Sequence, residues 1–148
     1  MHPQLVLGIM LAPFALFLGC GGDDERVGPE PEEITGLWHA TKAEYSSRDV
    51  PPLRADVVAL GGSVTMDFQA HDRFQYVETR AGGWSVTIDG NWNCDEDEIQ
   101  CQPDGGYYGI FGVQLSNGTL SLTGGSNTYD FNGDGASEPG TLDLVLIR

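Results

Sequence analysis

Short runs in which apolar and polar residues alternate recur from Ile34 onward, and no stretch keeps a helical period for three turns. Val64, Met66 and Phe68 alternate with Thr65, Asp67 and Gln69. Phe74 and Tyr76 flank Gln75, and Trp84, Val86 and Ile88 alternate with Ser85, Thr87 and Asp89. Later runs cover Tyr107 to Gln114, Thr119 to Thr123 and Leu142 to Ile147, where Leu142, Leu144 and Leu146 share one face. Each run has the period of a strand with one buried face, so the fold class is all-β. Two turn signals stand out. Asp89-Gly90 between two Trp-bearing runs predicts a tight hairpin, and Ser116-Asn117-Gly118 predicts another. Glu44 to Leu53 reads as a long loop because Pro51-Pro52 cannot join an interior ladder. Residues 48–60 read equally as a loop leading into a strand or as a short helix across a barrel end. Strands this short and numerous imply a small antiparallel up-and-down barrel, with a two-sheet sandwich as the alternative.

The chain before this region has a different pattern. Leu5 to Leu18 is fourteen residues without a charge, too short for an ordinary spanning helix and matched to the apolar core of a secretory signal. It ends in Leu18-Gly19-Cys20 followed by Gly21-Gly22, which resembles the lipobox of bacterial lipoproteins. That resemblance implies removal of residues 1–19, acylation of Cys20 and attachment to the cell envelope. Gly21, rather than Asp, after the acylated residue points to the outer membrane. A plain cleaved secretory signal is the alternative. Residues 20–33 are rich in Gly, Pro, Asp and Glu and read as a flexible acidic tether, leaving 34–148 as the barrel domain.

Charge narrows the partners. All 7 Lys and Arg and all 22 Asp and Glu follow Cys20, so the processed chain keeps a formal charge of -15. Such a chain repels nucleic-acid phosphates and anionic lipid surfaces; it is compatible with cations or basic partners, and the plainer reading is a solvated acidic surface. With Cys20 lipidated, Cys94 and Cys101 remain as an even pair in an oxidising compartment, where a disulfide is expected. Zinc is a weaker reading of the same pair, since His39 and His71 are the only other ligands of that kind after the signal.

Gly36-Leu-Trp38 looks like the Gly-x-Trp motif of lipocalins. The Phe68 and Phe74 spacing, Gly83-Trp84, Gly90-Asn-Trp92 and Gly118-Thr-Leu-Ser-Leu122 are similar to bacterial lipocalin-like lipoprotein domains. The resemblance spans Thr35 to Arg148 and implies an antiparallel barrel in which Trp38 closes the base beside an Arg of the last strand, for which Arg148 is the candidate. It also implies a small apolar ligand, although the expected second motif is missing and the domain is short.

The most specific local motif is Asp130-Phe-Asn132-Gly-Asp134-Gly135, with Ala136 and Glu138 behind it. Oxygen side chains at alternate positions followed by Gly suit a hard cation, and the loop resembles the first half of an EF-hand calcium loop. Thr141 stands where the bidentate Glu of such loops belongs. Asp130, Asn132, Asp134, the Ala136 carbonyl and Glu138 are therefore the expected calcium ligands, and a polar hairpin loop is the plainer alternative. Asp95-Glu-Asp-Glu98 is a second acidic cluster without ligand spacing. No nucleophile motif accompanies His39 or His71, which argues against an enzyme. The sequence thus suggests a lipid-anchored envelope domain that binds a small apolar molecule or an envelope protein, or else a structural lipoprotein with a filled barrel.

Overall fold

The computed structural model describes residues 28–106 and 109–148. It shows one short helix, α1 (Pro31–Ile34), and nine strands: β1 (Gly36–Ser47), β2 (Arg54–Asp56), β3 (Ser63–Gln69), β4 (Arg73–Thr79), β5 (Ser85–Asp95), β6 (Glu98–Pro103), β7 (Gly109–Ser116), β8 (Thr119–Tyr129) and β9 (Glu138–Ile147). Consecutive strands from β3 to β9 pair antiparallel, and β1 pairs with both β3 and β9, so eight strands close into a barrel. Closure removes the sandwich alternative. The ninth strand, β2, lies along the far end of β1, pairing Glu44 to Ser46 with Asp56 to Arg54.

Alternation decides which residues face inward. Val64, Met66 and Phe68 from β3, Phe74 and Tyr76 from β4, and Leu142, Leu144 and Leu146 from β9 are all buried in one core. Burying side chains of this kind contributes roughly 1.5–3 kcal/mol each, before the entropy of ordering is subtracted.

Three stretches differ from the sequence reading. Asp89-Gly90 is no turn, because β5 runs straight through it. Gly90 is needed for close approach: a Cβ there would lie 2.5 Å from the Phe74 ring and 2.3 Å from the Gln102 carbonyl oxygen. The chain reverses instead on either side of β5, at residues 80–84 and around Glu96, whose φ is 51°. The loop expected from Glu44 begins only after Ser47, since β9 supplies β1 with a partner as far as Ser47↔Gly140. Residues 54–61 resolve into β2 and a turn, held by Asp56 Oδ1, which accepts hydrogen bonds from the backbone N–H of Ala43 and Val58.

The segment read as tether also contributes structure at its end. Glu30 and Glu33 form a reciprocal capping box on α1, and Pro31 occupies the first turn, where its missing N–H costs nothing. Ile34, fully buried, seats this helix on the barrel end.

Candidate functional site

The barrel has one packed end and one open end. At the packed end, Trp38 donates its indole N–H to the Ile34 carbonyl at 2.6 Å, and Phe68 meets Trp92 edge to face at 4.9 Å. The Arg148 guanidinium lies 4.5 Å from the centroid of the Trp38 ring and donates to the carbonyls of Glu33 and Thr35 at 2.6 and 3.1 Å. Gly36 turns the chain from helix to strand with φ 128°, a conformation that side chains resist.

Toward the other end the core thins into an open cavity of about 760 Å³. Met66, Phe74, Ile88, Phe111, Leu142 and Leu144 supply its apolar wall, while Arg48, Asp89 and Asp104 stand among its polar lining. Arg73 bridges Asp104 through two nitrogens at 2.6 and 3.0 Å, and that hydrogen bonding holds the Asp104 carboxyl below its usual range. Cys101 also lines the cavity, where burial pushes its thiol up to about 12.

The expected Cys94–Cys101 disulfide is not formed. The β5–β6 register sets Cys94 opposite Ile99 and Cys101 opposite Trp92, so the cysteines sit on a diagonal rather than face each other. Diagonal neighbours lie roughly 7–8 Å apart, beyond ordinary disulfide reach. Cys94 instead points its thiol at the Pro29 carbonyl, 3.6 Å away.

Behind Tyr76 lies a polar cluster that composition did not reveal. Glu78 is 1% exposed, on the inward face of β4. One carboxylate oxygen accepts from the hydroxyls of Tyr45 and Tyr76 at 2.6 and 2.7 Å, and the other from Arg80 Nε at 2.6 Å. Burial first, and then the neighbouring Glu78 charge, holds the Tyr45 phenol well above its ordinary pKa. For Tyr76 burial acts together with Tyr45 and Glu78 in the same direction. The Arg80 guanidinium lies over the rings of both Trp84 and Tyr129, 4.5 and 4.4 Å from their centroids. The available signal was parity, since Glu78 continues the inward series Phe74, Tyr76.

The loop between β8 and β9 brings Asp130, Asp134 and Glu138 together, with one carboxylate oxygen of each within 4.8 Å of the others. This acidic triad has the spacing to hold a metal ion. The same residues brace the loop: Asn132 donates to Glu138 at 2.8 Å and accepts from the Asp134 N–H, the Ala136 N–H donates to Asp134, and Asp130 accepts from the N–H groups of Gly133 and Gly135. His39 and His71 are both exposed, and neither lines the cavity. Cys20 and the signal segment lie outside the described residues.

The fold and cavity define a β-barrel compatible with a binding domain. No protein-family model matches the chain, and no curated protein matches it in sequence.

Proposed function

We propose that this chain is a non-enzymatic, lipid-anchored binding domain of the cell envelope, attached to the outer membrane through Cys20, which takes a small, mainly apolar molecule into its barrel. The observation that carries the reading is the open cavity of about 760 Å³ walled by Phe74, Ile88, Phe111 and Leu144. That size suits a small organic ligand, and apolar walls with a few polar groups at the opening are the usual chemistry of such sites. The pairing of Trp38 with Arg148 at the packed end supports the lipocalin-like reading, because it leaves the opposite end to open.

Mass spectrometry of the purified protein after incubation with envelope lipid extract tests the reading. A retained apolar molecule that is lost in Ile88→Trp, which fills the cavity wall, is the expected result. Retention of nothing by the wild type would favour a structural lipoprotein instead. Membrane release of Cys20→Ser tests the anchor separately, and its continued membrane attachment would overturn that part.

Calcium at Asp130, Asp134 and Glu138 is the accompanying cofactor proposal. The ion would bind the folded loop and raise the melting temperature by mass action. An Asp130→Ala, Asp134→Ala double variant should lose the shift produced by millimolar calcium against chelator.

A further inference from the structure

The barrel wall is notched. β5 pairs with β4 along its first half, but β6 meets β5 only from Gly90 to Asp95. β8 shows the counterpart: Gly125 to Tyr129 pair with β9 alone, while β7 meets β8 only from Thr119 to Thr123. Among the described residues, two strand stretches, Ser85–Asp89 and Ser126–Tyr129, therefore each lack a ladder neighbour on one side. Thr87, Ile88 and Asp89 line the same cavity as Ser126, Asn127 and Thr128, so both stretches border one opening.

The direction of the backbone groups follows from two hydrogen bonds. The Arg80 N–H donates to the Trp84 carbonyl, and the Asp104 N–H donates to the Asp89 carbonyl, both at 2.8 Å. Successive residues of an antiparallel strand turn their backbone groups to opposite sides. Trp84, Val86 and Ile88 thus face β4, whereas Ser85, Thr87 and Asp89 face the notch. Asp104 occupies the Asp89 carbonyl. The N–H and C=O of Ser85 and Thr87 have no backbone partner among the described residues.

We propose that this edge of β5 is a docking site for an extended basic peptide, which adds a strand along Ser85–Asp89 and fills the notch. Main-chain pairing would supply affinity, and alternate side chains of the added strand would project toward the apolar wall at Ile88 and Phe111. Charge selects the occupant. The cavity lining carries Asp89 and Asp104 against Arg48, and the loop that follows Tyr129 adds Asp130, Asp134 and Glu138, in a chain of net charge -15, so lysines or arginines on the outward positions are attracted and a second copy of this chain is repelled. This site goes beyond the small-molecule reading, since it uses the wall's edge rather than the cavity's volume.

A synthetic heptapeptide alternating lysine and valine is the probe, added to the full chain while amide hydrogen exchange is followed. Exchange at Ser85 and Thr87 should slow at least about tenfold, the scale of one added backbone hydrogen bond. Two further peptides carry N-methyl groups on the valines or on the lysines, blocking opposite edges of the added strand. At least one should lose binding, whereas equal binding by all three would overturn strand addition. Thr87→Pro removes the central donor without touching the β4 ladder and should lose the peptide. If that variant does not fold, the methylated peptides on the wild type decide. Protection of Ser85 and Thr87 that grows with protein concentration in the absence of peptide would place a second copy on the edge and overturn the assignment.

Discussion

The two ends of this barrel solve the same problem by opposite means. At the packed end, Ile34, Trp38, Phe68 and Trp92 fill the interior, and the polar atoms that remain are main-chain carbonyls taken by Trp38 and Arg148. At the open end a carboxylate is buried instead, and it is tolerable only because two phenols and a guanidinium satisfy it. Apolar filling gives stability that is insensitive to pH. A satisfied polar cluster gives a fixed wall beside an unfilled space, which is what a binding cavity needs.

The largest break in this contrast should come from the packed end. Trp38→Ala removes the ring that carries both Arg148 and the Ile34 hydrogen bond, and a loss of about 3–5 kcal/mol in urea unfolding is expected. Alkali should act next, and only through the open end. Burial raises the Cys101 thiol from 9.0 to about 12, so the unfolded chain releases this proton first as pH rises. The contribution is fully present below pH 9.0 and is lost progressively toward pH 12, on the order of 4 kcal/mol at its limit. Tyr45 and Tyr76, also raised, add to the same limb. Urea midpoints over this range should fall less steeply in Cys101→Ala than in the wild type.

Glu78→Gln keeps the shape and removes the charge that three donors share, and should cost about 2 kcal/mol. Arg80→Lys loses the planar stacking on Trp84 and Tyr129 and should cost about 1 kcal/mol, read from the same urea curves. The smallest effect belongs to the outer surface: Lys42→Gln removes one partner of a 3.3 Å pair with Glu44, for less than about 0.5 kcal/mol. A Glu78→Gln loss as large as that of Trp38→Ala would mean that the polar end carries the fold.

What could be read in advance follows the same division. Period-two alternation marked β3, β4 and β9, because each has one face on a continuous apolar core. The hairpin at Asn117-Gly118 was visible because its left-handed residues, at φ 50° and 76°, suit Asn and Gly. Asp89-Gly90 misled because Gly serves a turn and a close approach equally well, and only the position of Phe74 separates them. β6, Glu98-Ile-Gln-Cys-Gln-Pro103, was hidden by its shortness and by the acidic run that leads into it from Asp95. The sequence placed Asp130, Asp134 and Glu138 in one loop, but it did not show that these carboxylates and the Asn132 amide would also hold the loop's own hydrogen bonds. Parity along β4 marked Glu78 as inward, with Tyr76 and Arg80 two residues away on either side, but the arrival of Tyr45 from β1, 33 residues distant, leaves no local pattern.

The pairing of β1 with β9 also sets a timetable. His39 finds Ile147 and Ser47 finds Gly140, partners separated by most of the domain. Contacts so distant along the chain form late and slowly. During synthesis the barrel cannot shut until β9 has been made, so the emerging chain stays unclosed while β1 to β8 appear. Folding then begins with the hairpins and finishes with the seam, making the β1–β9 junction the last part to form.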